Sequence, residues 1–222
     1  MVAMEIEHIR VFEIRLPQGA ELPMHSHPPW AIVAINSWCR HGGQSGWLRS
    51  AVMDTWDTIT SRRQVRSFTS DPIPKRDLDR ILEAGRRAPS SRNGQRWDFV
   101  VVSDKGQLDR LSQVWQGASW IAASAATIAL VVSQAEGDEA LIDRLDLGQA
   151  AMQMMIAATG LGIGSGQAVC RDQALAQEVL GFPDGKQCAL LIALGYPVDR
   201  PLKPIQNPSR RDFDEVVHFG TW

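Results

Sequence analysis

The pattern of apolar and polar positions from residue 53 to the C-terminus predicts five helices. Each has apolar side chains spaced three or four positions apart, and most follow a residue that favours a helix start. Asp54 or Thr55 caps the first, Pro74 begins the second, and Gly181 ends the last. The predicted helices are a short one ending in the 61–63 region, then 74–88, one that follows Asp104 and carries Leu108, Leu111 and Val114, then 139–159 and 172–180.

Apolar runs predict the strands of the same region. Residues 97–102, 127–132 and 188–194 are buried strands by this pattern, and residues 215–219 are a short fourth one. Strands and helices do not follow one another as repeated βαβ units. The predicted fold class is therefore α+β.

Residues 1–52 have a different character. Residues 8–16 predict a strand, and His25 and His27 then follow in a spacing that resembles the opening of a cupin metal motif. The glutamate and the later histidine of that motif are missing in recognisable form, and two histidines alone make a weak metal site. We predict a strand remnant with solvated histidines.

The boundary between the two parts is predicted near Met53. Residues 37–50 contain two tryptophans among glycines and arginines without helical or strand periodicity, which indicates a linker. We expect an N-terminal extension over residues 1–52 and a main domain over 53–222. Our hypothesis is that the extension results from a misassigned start, with Met53 as the natural one.

Composition excludes several classes of protein. The 222 residues include 23 Lys and Arg against 25 Asp and Glu, a net charge of −2 that favours neither nucleic acid nor an acidic membrane as partner. The apolar stretch 120–132 is too short to span a bilayer, and the N-terminus lacks the pattern of a signal peptide. Three widely spaced cysteines fit a reducing compartment. We expect a cytoplasmic protein.

The main domain has few side chains for catalysis of its own. It contains one histidine, His218, one tyrosine, Tyr196, and two cysteines far apart in sequence. These are too few for a nucleophile–histidine arrangement or a His/Cys metal site. We therefore predict no metal and no catalytic side chain, and a cofactor that brings the reactive group.

The glycines between residues 160 and 166 do not form a dinucleotide-binding motif. A GxGxxG match from Gly160 needs glycine in place of Ser165, and one from Gly162 needs glycine in place of Gln167. The run also follows a helix rather than a strand. Two interpretations stay open: Gly160 ends the helix before a flexible turn, or bare backbone N–H groups approach the edge of a flat ligand.

Arginines form the clearer signal. Arg62, Arg63 and Arg66 lie within five positions, and Arg210 and Arg211 lie in the C-terminal tail. Guanidinium groups bind phosphate through paired hydrogen bonds. Arginines at a helix C-terminus can also simply complement its dipole, and charge alone leaves both interpretations open.

Four segments, in the same order and at the same separations, resemble the nitroreductase-like FMN enzymes. They are RRQVRSF at 62–68, APSSRNGQRWDF at 88–99, GLGIGSGQ at 160–167, and the C-terminal segment that begins GYP and ends VVHFGTW. The resemblance covers residues 53–222. It implies an α+β nitroreductase-like fold with a mixed or antiparallel central sheet flanked by helices, and an intertwined homodimer with exchanged C-terminal arms and FMN at the interface.

The resemblance also implies how FMN is held. The phosphate and ribityl chain are assigned to Arg62, Arg63, Gln64, Arg66, Arg210 and Arg211. The side facing the flavin from the other subunit is assigned to Pro89, Ser90, Ser91 and Asn93, and backbone donors near N5 are assigned to Ser165, Gly166 and Gln167. Two positions depart from the family pattern: Arg96 replaces a usual Pro before Trp97, and Gln64 replaces a usual Ser or Asp.

The implied activity is that of an NAD(P)H oxidoreductase. NADH or NADPH passes a hydride to flavin N5 and leaves, and a nitroaromatic, quinone or related conjugated acceptor then takes its place, which gives ping-pong kinetics. The alternatives are a flavin destructase, whose Arg-Arg-x-Val-Arg segment is similar, and a flavin-binding or flavin-sequestering protein. A halotyrosine dehalogenase is disfavoured because no tyrosine lies between the second and third segments.

Overall fold

The computed structural model describes residues 3–6, 9–12 and 54–222. The chain divides into two compact units, residues 1–49 and 50–222. In the first, β1 (Ala3–Ile6) pairs with β2 (Ile9–Phe12) in antiparallel register, and β2 lies within the predicted strand 8–16. The histidine pair, the linker and the proposed start at Met53 fall outside the described residues, and they stay predictions.

Helices begin where the sequence provides caps. The side chains of Asp54, Asp104 and Asp172 each accept a hydrogen bond from the backbone N–H three residues later, as predicted for helix starts. The helices of residues 54–222 are α1 (Thr55–Ser61), α2 (Lys75–Arg86), α3 (Lys105–Leu111), α4 (Gly137–Gly160), α5 (Gln173–Leu180) and α6 (Phe213–Val216). Two 3₁₀ segments, Ser91–Asn93 and Gln116–Ala123, complete the helical structure of this part of the chain.

Four antiparallel strands form the central sheet. They are β3 (Trp97–Val102), β4 (Ala126–Ser133), β5 (Gly164–Val169) and β6 (Lys186–Gly195), in the spatial order β3-β4-β6-β5. The predicted α+β class is confirmed, and the sheet is the antiparallel one of the two expected kinds. The strand β5 was not predicted, because glycine-rich segments have low strand propensity.

The sheet carries an apolar core on each face. On one face, side chains of α2 and α4 such as Ile81 and Met154 pack against Ile192 of β6. On the other face, α3, the 116–123 segment and α5 pack against Leu191 and its neighbours. The two central strands are covered on both faces, which explains their continuous apolar runs.

A β-bulge interrupts the pairing of β6 with β4. Leu130 pairs with Leu190 and the next residue, Val131, pairs with Cys188, so Ala189 is an extra residue on β6. Strict alternation would place Cys188 on the same face as Leu190. The bulge turns Cys188 to the opposite face, where it joins the core cluster of α3 and α5.

Two local predictions differ from the structure. The predicted strand 215–219 is wrong for the single chain, because Phe213–Val216 forms the short helix α6. An ion pair between Arg211 and Glu215, four positions apart, stabilises this helical turn. The second difference lies in the glycine run: Gly160 ends α4 and a turn follows at Leu161 and Gly162 (φ 75°), as one interpretation expected, but the unpredicted strand β5 then begins at Gly164.

The hydropathy of the helices gives no candidate for a membrane span. Among residues 54–222, none of the helices is both long and apolar enough to cross a bilayer.

Candidate functional site

The arginine-bearing segment after α1 is held between two neighbours. On one side, the Val65 N–H donates to the Ser165 carbonyl of β5 at 2.9 Å. On the other, the Thr69 N–H donates to the Tyr196 carbonyl at 2.8 Å, just after β6. Val65 is fully buried and Phe68 nearly so, and both anchor the segment in the core below. The backbone that carries the arginines is therefore fixed.

The C-terminal tail docks against the end of α1. The Ile205 N–H donates to the Thr60 carbonyl at 3.1 Å, and the Arg63 guanidinium donates to the carbonyls of Ser61 and Lys203. These contacts lead the tail towards Arg210. The Arg63 side chain therefore holds the C-terminal tail against the end of α1.

Arg62 and Arg210 come together as two like charges. Burial, and secondly the charge of Arg210, lower the pKa of the Arg62 guanidinium below its ordinary value. Within residues 54–222, no carboxylate forms an ion pair with either arginine. Guanidinium groups carry a positive charge, so in the described part of the chain two cations lie near each other here without a paired carboxylate.

The other predicted phosphate ligands are engaged elsewhere. The guanidinium carbon of Arg66 lies 5.8 Å from the ring centroid of Trp120, in a cation–π arrangement. Arg211 pairs with Glu215, Nε to Oε2, at 3.3 Å. The Gln64 side-chain amide donates to the Gln167 carbonyl at 2.7 Å, and this bond holds the Gln64 side chain on the outer edge of β5.

Close packing requires glycine on β5 at position 166. A Cβ atom there would lie 2.3 Å from the Val65 carbonyl oxygen and 2.7 Å from the indole of Trp120. Real Cβ atoms do not approach backbone oxygens this closely, so any larger residue would displace the strand or the segment. Next to it, the buried Ser165 hydroxyl has no hydrogen-bond partner in the structure.

The segment with Pro89, Ser90, Ser91 and Asn93 is an exposed loop fastened to α4. The Ser91 N–H donates to Asp146 Oδ2 at 2.9 Å, and Arg96 Nε pairs with Asp143 Oδ1 at 2.7 Å. Both carboxylates are buried on α4. A further bond closes the loop on itself, from the Gln95 N–H to Ser90 Oγ at 3.0 Å.

The same loop has a strained backbone. Arg92, Asn93 and Gln95 adopt positive φ angles of 53°, 56° and 46°. Such conformations cost on the order of 1–3 kcal/mol for each residue without a glycine's freedom. The buried carboxylates of Asp143 and Asp146 hold the loop in this strained conformation. We infer that the shape of the loop backbone is required.

The predicted site residues therefore form two groups. The first combines 62–66 with 165–167 and Arg210, through the contacts given above. The second is the 89–95 loop, and in the part of the chain from 54 to 222 no hydrogen bond or ion pair joins it to the first. The same residues contain no cluster of His, Cys, Asp or Glu that could hold a metal ion.

Three contributing residues were missed in the sequence. Trp120 contacts both Arg66 and the backbone at Gly166, while Asp143 and Asp146 fasten the loop. The signal for the latter two was a carboxylate pair three positions apart, which puts both on one face of the helix. Nothing in the sequence near Trp120 indicated its partners.

Comparisons with known proteins agree on one family. Residues 59–135 and 112–196 match the Nitroreductase family. A protein of Archaeoglobus fulgidus described as an NADH dehydrogenase/NAD(P)H nitroreductase is 31% identical over 170 residues, which are 74% of this chain and 96% of the relative.

Solved structures give the same result. An FMN-dependent nitroreductase from Clostridium difficile has a TM-score of 0.67 and 27% identity, over 75% of this chain and 99% of that one. The NADPH:FMN oxidoreductase of Vibrio harveyi, complexed with NAD+, also has a TM-score of 0.67, with 26% identity over 76% of this chain and 77% of that one.

Proposed function

The chain belongs to the nitroreductase family, and on that premise we propose that it is an FMN-dependent NAD(P)H oxidoreductase. Relatives named for FMN and for NADH or NADPH support the cofactor and the electron donor. Within the family, we propose that its acceptors are nitroaromatics, quinones or related small conjugated molecules. The paucity of acid–base side chains in the main domain accords with chemistry carried by a cofactor.

The observation that carries this proposal is the pair formed by Arg62 and Arg210. Arg62 is half-buried and is repelled by the nearby charge of the exposed Arg210, so an anion bound between them would relieve the repulsion. A phosphate monoester is the anion that two guanidinium forks suit best, since it offers three acceptor oxygens and up to two negative charges. The pair therefore fits the FMN phosphate.

The remaining arginines take supporting parts in this proposal. Arg63 holds the tail that brings Arg210 into place, and Arg66 lies over Trp120 at the side of the ribityl chain. Gln64 fixes the edge of β5 rather than contacting phosphate directly. Arg211, paired with Glu215, is the weakest of the predicted ligands.

The outer edge of β5, on the side away from β6, supports the proposed contact with the isoalloxazine ring. The carbonyls of Ser165 and Gln167 point to this edge, where they accept from Val65 and Gln64. The N–H and C=O of one strand residue point the same way, so the Gln167 N–H also lies on this edge. This N–H would offer a donor to the flavin near N5.

We also propose that the site is completed by a second copy of the chain. The strained 89–95 loop with Pro89, Ser90, Ser91 and Asn93 is largely exposed, and within residues 54–222 no hydrogen bond joins it to the arginine segment. Exposed apolar side chains support a homodimer, since a monomer rarely presents so many together. They are Leu141, Leu145 and Met152 on α4, and Phe213, Val216, Phe219 and Trp222 in the tail.

The protein's own residues bind and orient in this mechanism. When bound, FMN supplies hydride acceptance at N5 from NADH or NADPH and delivery of the electrons to the acceptor. Arg62 and Arg210 fix the phosphate end, and β5 fixes the ring edge. Trp120, packed on Gly166, closes one side of the site against water and limits the space available to donor and acceptor.

A spectroscopic titration tests this function. Purified protein is saturated with FMN, freed of excess flavin and oxygen, and mixed with NADH or NADPH. We expect a bound-flavin spectrum that either nucleotide bleaches, and that a nitroaromatic or a quinone restores. Failure to retain any flavin would contradict the cofactor assignment, and a bound flavin that neither nucleotide bleaches would favour a flavin-sequestering role instead.

A further inference from the structure

Two cysteines meet beyond the end of β5 that is remote from Ser165. Cys170 directly follows β5, whose last residue, Val169, pairs with Leu190. Cys188 lies two residues before Leu190 on the neighbouring strand β6. The bulge at Ala189 turns Cys188 to the face of the sheet that Cys170 occupies, so both belong to one core cluster. If Ala189 were instead part of a regular strand, Cys188 would share the face of Leu190, and the two thiols would lie on opposite faces of the sheet.

One glutamine side chain clamps the backbones of both cysteines. Gln173 Nε2 donates to the carbonyl oxygen of Cys170 at 3.2 Å and to that of Cys188 at 2.8 Å. Its Oε1 accepts from the Cys188 N–H at 2.9 Å. The clamp therefore keeps the backbones of the two residues near each other, and a disulfide needs Cα atoms within about 7 Å of each other.

Both cysteines line the same cavity of about 390 Å³. Arg144, Gln173 and Gln187 contribute polar groups to its wall. The cavity has room for several molecules the size of water or hydrogen peroxide. Both are free thiols in this structure, and the cavity places water-sized space next to Cys170, the more exposed of the two residues.

We propose that Cys170 and Cys188 form a peroxide-responsive dithiol site that closes into a reversible disulfide. This site is independent of the proposed flavin chemistry. It gives a specific role to two residues that their burial alone would describe as small apolar packing groups.

The reaction has two steps, with hydrogen peroxide as oxidant. The Cys170 thiolate attacks one peroxide oxygen, the O–O bond breaks, and a sulfenic acid and hydroxide result. The Cys188 sulfur then attacks the sulfenic sulfur, an S–S bond forms, and the OH group leaves as water with the proton of the Cys188 thiol. Overall, two thiols lose two electrons and two protons, and one peroxide becomes two waters.

The environment distinguishes the roles of the two thiols. Cys170 retains 9% exposure whereas Cys188 has none. The pKa of Cys170 is lowered by the hydrogen bond of the Cys188 thiol, against the smaller opposing influences of burial and Asp172. The pKa of Cys188 is raised by the same partner and by its burial. Cys170 is thus the thiolate that attacks, and Cys188 the thiol that resolves.

The test uses the full chain with Cys39→Ser, so that only the two thiols of the site remain. Reduced protein, freed of reductant, is treated with one to a few equivalents of hydrogen peroxide, denatured and alkylated with N-ethylmaleimide. We expect an intact mass lower by about 2 Da without alkylation, against two adducts for the untreated protein, with reversal by dithiothreitol. Peptide mapping should join the segments that contain Cys170 and Cys188.

Two single variants separate the roles. Cys188→Ala should accumulate a sulfenic acid on Cys170 that dimedone labels, whereas Cys170→Ala should leave Cys188 unlabelled. The crosslinked chain should also unfold at a temperature higher by roughly 5–10 °C, because the bond closes the loop that contains α5. The wild-type chain, mapped in the same way, keeps the test valid if a variant does not fold. Two alkylated thiols after peroxide treatment, or oxidation of Cys170 to a sulfinic acid without a crosslink, would overturn the proposal.

Discussion

Two arginine pairs follow helix ends in this protein, and their surroundings are opposite. At the end of α2, Arg86 and Arg87 both bind Glu83, at 2.7 and 2.6 Å, and they lower the pKa of its carboxyl from 4.5 to about 2. At the end of α1, Arg62 has a second cation, Arg210, near it instead of a carboxylate. The same Arg-Arg sequence pattern is thus neutralised by a carboxylate in one place and, in our proposal, part of an anion site in the other.

The difference teaches what makes an arginine pair a binding site. An exposed pair bound to a carboxylate contributes little and has no charge to offer a ligand. Arg62 is instead half-buried on a backbone segment that β5 and the chain after β6 fix on two sides, and the exposed Arg210 is near it, so its charge is in place before a ligand arrives. The absence of an acidic neighbour is therefore as informative as the presence of the arginines.

The largest effect is expected from removing one cation of the α1 pair. Arg62→Ala should raise the dissociation constant of FMN roughly 30- to 1,000-fold, since truncating one partner of a charged hydrogen-bonded pair costs about 2–4 kcal/mol. Fluorescence titration of FMN measures this. Arg87→Ala is the matched control and should leave the constant unchanged; equal losses in both variants would remove the distinction drawn between the two pairs.

A smaller effect of opposite sign is expected in the flavin-free protein. Arg210→Ala relieves the repulsion on Arg62 and should raise the unfolding temperature by roughly 1–3 °C, whereas Arg86→Ala, which removes an attraction, should not raise it. Saturation with FMN should reverse the sign for Arg210→Ala, because binding then stabilises the wild type more. Differential scanning fluorimetry with and without FMN distinguishes these outcomes. A stabilisation that persists in saturating FMN would argue against Arg210 as a phosphate ligand.

The smallest effect concerns the α2 pair in acid. The folded-state pKa of Glu83 is depressed, so its stabilising contribution is complete above pH 4.5 and is lost as the pH falls towards 2. The difference in denaturation midpoint between wild type and Glu83→Gln should be constant from neutral pH to about pH 5 and should shrink below it. The FMN affinity of Glu83→Gln at neutral pH should equal that of wild type, and a pH-independent difference would show that Glu83 is not held by the arginines.

Much of the fold was predictable because local signals agreed with the tertiary structure. The three aspartate caps and the apolar runs of β4 and β6 are local features that can be recognised in the sequence itself. The strand β5 was not predictable in this way, since Gly164 and Gly166 are there for close approach to Val65 and Trp120 and lower strand propensity. The helix α6 replaced a predicted strand because a single ion pair decided between two weak local preferences.

The candidate site was predictable to a similar extent. The arginines and the loop residues were named from the sequence, since side-chain chemistry is visible there. The approach of Arg210 to Arg62 depends on how the tail docks through Arg63. Contacts of this kind join residues about 140 positions apart, and no local pattern encodes them.

The bulge at Ala189 bears on how related chains should be aligned. A relative without the extra residue would keep every side chain of β6 on its present face, because Cys188 and Leu190 would then be consecutive positions of a regular strand. Its correct alignment with this chain therefore needs a one-residue gap inside a buried strand. Deletion of Ala189 should accordingly leave the circular dichroism spectrum and cooperative unfolding intact, whereas deletion of Leu191 would turn one half of the strand inside out.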